Sequence, residues 1–116
     1  MKIASEQELH LDMSAVNPSA LLVSAANGCC AGICAYNSDS FSAPALHDDQ
    51  EGFFVLEGSG EAQLAGELYT LHKGMSFILP PQTLHSFRRL GSEYLKVLWF
   101  SVTFVGVICH PRFLAA

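Results

Sequence analysis

Positive charge is scarce in this chain. Six lysines and arginines stand against eleven aspartates and glutamates in 116 residues, a formal net charge of −5. A nucleic-acid binder displaces counterions from phosphates with clustered basic side chains, and the only adjacent basic pair is Arg88-Arg89, so no nucleic-acid partner is expected. Long hydrophobic runs are missing too. The greasiest stretch, Val97 to Cys109, is interrupted by Ser101, Thr103 and Gly106 and falls short of the ~20 residues that cross a bilayer. The opening residues run Met1-Lys2-Ile3 and then Ser5, Glu6, Gln7 and Glu8, without the apolar stretch of an export signal. A soluble cytoplasmic protein with no membrane partner is expected. There is no G-x-S-x-G elbow, no glycine-rich phosphate loop ending in Lys-Ser/Thr and no dinucleotide fingerprint, which removes three common enzyme plans.

Cysteines are few and poorly placed for chemistry of their own. Cys29, Cys30 and Cys34 crowd together while Cys109 lies far off. Neighbours on a strand point to opposite faces, so Cys29 and Cys30 do not share a metal. Cys30 and Cys34 share a parity but lie too far apart along extended chain to bond each other. They read as small buried apolar residues in a reducing compartment.

What is present is apolar side chain, half of the residues against only 15% charged, enough for one packed domain over residues 1–116. Turn signals recur at Asn27-Gly28, Asn37-Ser38-Asp39, Gly58-Ser59-Gly60, Ala65-Gly66-Glu67, Lys73-Gly74, Pro80-Pro81 and Leu90-Gly91-Ser92. Spacing of roughly 8–12 residues between such signals marks an all-β sandwich or barrel. Asn27-Gly28 predicts a two-residue hairpin between apolar flanks, and Gly58-Ser59-Gly60 another hairpin turn. Strand-like pieces lie at Leu21–Ala26, Cys29–Tyr36, Phe53–Leu56, Glu61–Leu64, Leu68–Leu71, Ser76–Leu79, His85–Arg88 and Tyr94–Phe104. Leu9–Val16 suits a short helix or a strand equally. Antiparallel strands closed on themselves are expected, since closure removes exposed edges.

Two segments carry the chemistry. The first is Ala45-Leu46-His47-Asp48-Asp49-Gln50-Glu51, followed after six intervening residues by Gly58. The second is Gly74-Met-Ser-Phe-Ile-Leu-Pro80-Pro81-Gln82-Thr83-Leu84-His85, followed by Ser86-Phe87-Arg88-Arg89. Together, over about 45–58 and 74–89, they resemble the paired motifs of the cupin superfamily: His-x-His, three or four residues, Glu, six residues, Gly, and then Gly, five residues, Pro-x-Gly-x-x-His, three residues, Asn. The resemblance implies an all-β, cupin-type double-stranded β-helix (jelly-roll) barrel of antiparallel strands. It also implies a divalent transition metal, Fe, Mn, Ni or Zn, held by His47, Glu51 and His85.

The residue types agree with that implication. His47 and Glu51, four apart, share a face on extended chain, with Phe53 and Val55 continuing the parity, and Phe87 shares a face with His85. Imidazole and carboxylate are ligands for such metals, and three of them leave coordination positions open. Three departures stand out: Ala45 in place of the first His, Gln82 in place of the second-motif Gly, and Arg89 in place of Asn. Arg89 shares parity with His85, so it can reach the barrel mouth and grip a carboxylate, or sit as a surface charge; with Phe53 and Phe87 it is a candidate ligand-binding residue. Asp48 and Asp49 suit the turn before Glu51, with either able to replace the missing ligand. His72 is expected in solvent, and His10 and His110 lie outside both motifs. Trp99, Phe100 and Phe104 read as core or subunit-interface aromatics.

Cupins with this ligand type include dioxygenases, isomerases and decarboxylases of small organic acids or aromatic compounds, so a small metalloenzyme is one reading. Glu51–Gly60, Tyr69–Pro80 and His85 also resemble the sensing arm of AraC-type regulators, so a non-catalytic small-molecule-binding module is another. A structural subunit with a vestigial pocket is the third. Val97–Val107 is apolar on both alternating faces, and a strand greasy on both sides must be covered on both, which predicts a homodimer.

Overall fold

The structure, a computed structural model, describes residues 1–102. Thr103, Phe104, Cys109 and His110, with the rest of the expected apolar strand end, lie outside the described residues. Eight strands follow a short 3-10 turn at Glu6–Glu8: β1 (Ser19–Ser24), β2 (Cys30–Tyr36), β3 (Gln50–Glu57), β4 (Ser59–Leu64), β5 (Glu67–His72), β6 (Ser76–Leu79), β7 (His85–Arg89) and β8 (Leu95–Val102). All neighbours are antiparallel. One sheet runs β1-β2-β8-β3-β6 and the other β5-β4-β7. This is the expected all-β jelly roll, and no described helix is long and apolar enough to cross a membrane.

Period-two patterning places the core between the sheets. Phe53 and Val55 of β3, Leu95 and Val97 of β8, and Cys34 of β2 meet Ala62, Leu71 and Phe87 from the smaller sheet. Phe87, Val55 and Val97 are almost wholly buried, each side chain stabilising the fold by roughly 1.5–3 kcal/mol relative to exposure. Opposite Trp99 in the register stands Gly32. A β-carbon there would sit 2.3 Å from the indole, so only glycine lets Trp99 lie flat across β2 on the inner face.

Two turns differ from expectation. The Asn27-Gly28 connection is a longer hairpin in which Gly28 alone adopts positive φ (93°). Ala25 N–H donates to the Cys29 carbonyl, and Asn27 Oδ1 accepts from Cys29 N–H. The Asn side chain thus does its work by hydrogen bonding, and one left-handed residue suffices for a three-residue loop. Gly58-Ser59-Gly60 is not a hairpin turn: β3 and β4 belong to different sheets, and Gly58 is the corner between them. Turn residues mark where a strand ends, not which sheet the chain enters next.

Leu9–Val16 is neither helix nor strand. Asp12 caps a turn, its carboxylate accepting from Ser14 N–H and its carbonyl from Ala15 N–H. Asn17 and Asn37 then clamp the segment reciprocally, each side-chain oxygen accepting the other's backbone N–H. Leu9, Leu11 and Met13 lie beside Ile33 on the outer face of β2, and Lys96 pairs with Glu6. Ile33 and Ala35 are buried although they face away from the core. Part of the second layer over this face therefore comes from the chain's own N-terminal segment.

Candidate metal centre

His47, Glu51 and His85 come together although only two of them sit on strands. Glu51 is the second residue of β3, His85 opens β7, and His47 lies in the segment before β3. That segment is laced to the edge of β7. Ser42 N–H donates to the Phe87 carbonyl (2.8 Å), and Ala45 and His85 exchange backbone bonds in both directions (2.9 and 3.0 Å). One turn further, Gln82 N–H donates to the His47 carbonyl (2.8 Å) and Gln82 Nε2 to Asp48 Oδ1. The two motifs are therefore fastened by main chain, and the imidazoles inherit that rigidity.

Gln82 holds φ at +64°, in the left-handed region. This is the place where the motif has glycine, and glycine alone adopts that conformation freely. The glutamine side chain is tied to Asp48, which in turn stands in the bend before Glu51, as its residue type suggested.

The donor atoms converge. His47 Nε2 is 3.0 Å and His85 Nε2 3.6 Å from Glu51 Oε1, and one donor atom from each residue lies within 4.8 Å of the others. Neither Asp48 nor Asp49 belongs to this group among the described residues. His85 Nδ1 is 2.8 Å from the Thr83 carbonyl, which can only accept, so Nδ1 carries the hydrogen and Nε2 turns toward Glu51. Glu51 Oε1 is buried and has no hydrogen-bond partner despite its neighbours. An unpaired buried carboxylate oxygen facing two imidazole nitrogens fits a divalent cation: the donor set is right and its centre is otherwise costly.

Electrostatics point the same way. Burial pushes the Glu51 carboxyl above its ordinary value; the two imidazoles pull it back and Asp49 adds to the rise. Deeper in, burial raises the Cys34 thiol to about 11 and holds the Tyr36 phenol well above its usual value, so both remain protonated.

Beside the donors opens a cavity of about 420 Å³. Phe53 and Phe87 line it, as the parity of β3 and β7 predicted, with ring centroids 5.2 Å apart. Arg89 does not. Its Nε donates to Asp39 Oδ1 (3.0 Å) and Nη1 to the Ser92 carbonyl (3.3 Å), so its fork is occupied at the far end of β7. Arg88 bonds Glu61 through Nε (2.8 Å) and lies 4.7 Å over the Phe41 ring. His72 and His10 are exposed, outside the site.

Sequence reasoning missed several lining residues: Tyr36, Cys30, Cys34, Asn17 and Trp99. Trp99 is a cavity wall, its Nε1 donating to Ser19 Oγ (3.3 Å). The inward parity of β2 and β8 holds the signal, but only the register (Cys34 opposite Val97, Gly32 opposite Trp99) turns it into a pocket.

With this geometry in place, comparison with known proteins is decisive on family. A cupin-domain profile matches residues 33–101, more than half of the sequence. The chain belongs to the cupin family. An uncharacterized protein of Methanocaldococcus jannaschii is 33% identical over 52 residues, 45% of this cupin and 42% of the relative, so the match spans less than half of that curated protein. The cupin domain of Cnp3 from Schizosaccharomyces pombe superposes with a TM-score of 0.77 at 18% identity, over 92% of this chain and 82% of that one. KdgF from Halomonas sp. gives 0.74 at 19%, over 91% and 97%. At such identities these structures attest the fold alone.

Two outcomes follow from the centre. A carboxyl whose folded value is raised stabilises the fold fully below its ordinary value and ceases to do so as pH rises through the folded one. Metal-free Glu51→Gln should therefore be more stable than wild type at neutral pH, with the gap closing in acid. Thermal unfolding in chelator across about pH 4–8 measures this, and a wild type that stays the more stable at neutral pH contradicts it. Gln82→Gly should relieve left-handed strain of roughly 1 kcal/mol yet release the Asp48 tether. Melting temperature should hold or rise while zinc affinity, read by chelator competition, falls about three- to tenfold, that is by no more than the net worth of one hydrogen bond to a charged group.

Proposed function

We propose that this cupin is a metal-dependent protein acting on a small organic ligand, with His47, Glu51 and His85 holding Fe, Mn, Ni or Zn. The orphaned Glu51 Oε1, aimed at two imidazole nitrogens beside a ligand-sized cavity, carries the reading. A divalent ion there supplies Lewis acidity or, if iron or manganese, redox chemistry. The chain's own residues do the rest. His85 is locked in its metal-facing tautomer by Thr83, and His47 is held by the Ala45 and Gln82 backbone bonds. Phe53 and Phe87 keep water from the inner side of the site. Three protein ligands leave positions for a chelating ligand, which suits a dioxygenase, isomerase or decarboxylase better than a closed structural site.

Ala45 lines the same cavity and is bridged to His85. Ala45→His should complete a four-ligand shell, retaining metal against chelator at least tenfold better while slowing metal-dependent turnover. His85→Ala should abolish metal uptake without unfolding the barrel. Calorimetry with zinc, iron(II), manganese and nickel decides: unchanged affinity in both variants removes the metal centre and leaves a metal-free binding or sensing module as the better reading.

The same proposal extends to assembly. On the outer face of the larger sheet, Phe54, Ile78 and Val102 are exposed beside half-buried Leu98 and Phe100, with no charged residue among them. The N-terminal segment covers Ile33 and brings Met1 and Lys2 beside Phe100 and Val102, leaving Phe54 and Ile78 open. An apolar face with its charges at the edges, Lys2 beside Phe100 and Lys96 paired with Glu6, complements itself across a two-fold axis, so a second copy is its fitting cover. Light scattering at micromolar concentration should give a dimer and Phe54→Lys a monomer; a monomeric wild type refutes the assembly.

A further inference from the structure

Resting on the reading of His47, Glu51 and His85 as a metal centre, we propose that the ligand of the adjoining cavity is an uncharged, oxygen-bearing molecule of about aromatic-ring size, not a carboxylate or phosphate. Beyond what a metal ion itself attracts, sites that hold anions present arginine forks, lysines or convergent backbone N–H groups. Among the described residues none of the cavity's lining side chains is a lysine or an arginine. The described basic residues are engaged or remote. Arg88 pairs with Glu61, Arg89 with Asp39 and Lys96 with Glu6. Lys2 lines a separate cavity with Val23 and Phe100, and Lys73 is exposed in the turn after β5.

Among the described residues, the fixed charges that line the cavity are two carboxylates, Asp49 and Glu51. A divalent ion offsets both of them, which leaves no net positive charge in the cavity to draw an anion, and Asp49 still repels a negative group placed beside it.

What remains suits a flat neutral molecule. Phe53, Phe87, Tyr36 and Trp99 provide aromatic wall, and about 420 Å³ matches a small-ligand site. Tyr36 offers a hydroxyl that burial keeps protonated, and Ser101 a second one close to β3. A ligand with two adjacent oxygens would take the open coordination positions while its ring lies between these walls.

Trp99, the chain's only tryptophan, reports on occupancy through its emission. Catechol and salicylate share a ring and a two-oxygen bite and differ at neutral pH by one negative charge. Titrated into the zinc-loaded full chain, catechol should alter Trp99 emission at a concentration at least tenfold lower than salicylate. Asp49→Asn should tighten salicylate several-fold and leave catechol unchanged. Salicylate binding as tightly as catechol, an Asp49→Asn variant with the same preference as wild type, or no response to either probe each overturns the inference. Zinc calorimetry in parallel separates the two readings. Without zinc uptake the metal centre falls, while catechol preferred over salicylate by the metal-free protein still upholds an uncharged ligand.

Discussion

A carboxylate held out of water beside two imidazole nitrogens is an expensive arrangement, and much of this barrel is organised around it. Glu51 cannot pair with water on its buried oxygen, and neither imidazole reaches it with hydrogen-bond geometry. Removing a charge from water costs several kcal/mol unless something compensates. The two imidazoles offset only part of that cost, since burial still holds the carboxyl above its ordinary value. The surrounding structure keeps the three groups in place, which is the behaviour of a site prepared for a cation.

Holding them in place falls to the main chain. His47 lies outside any strand, where a side chain would ordinarily be mobile. The bonds from Ala45 to His85 and from Gln82 to His47 convert that loop into an extra rung beside β7. Gln82 accepts an unfavourable backbone conformation in doing so, and its side chain returns part of that through Asp48. Local strain beside a site, over-determined by its surroundings, is the pattern expected where geometry matters more than stability.

The inner and outer faces of β8 show how one strand serves two purposes. Val97, Trp99 and Ser101 face the core and cavity while Leu98, Phe100 and Val102 face outward. The glycines opposite them are matched to this. Gly32 leaves room for the indole inside, and Gly52 lies under the Phe100 ring outside. The N-terminal segment passes Ile33 on the outer face, and its first residues, Met1 and Lys2, lie beside Phe100 and Val102.

By itself the sequence determined the all-β class, the positions of nearly every strand and the three residues, His47, Glu51 and His85, whose side chains converge. Those features are local: period-two alternation, turn residues and ligand types at motif spacing can be read along one stretch of chain. Tertiary structure alone decided that Gly58 is a corner between sheets, that Arg89 spends its charge on Asp39, and that Trp99, Tyr36, Cys30 and Cys34 wall the cavity. Each of these depends on which strand lies beside which, and in what register. A one-residue shift in pairing would exchange every inward side chain of a strand for its outward neighbour, and spacing within a single strand carries no record of that choice.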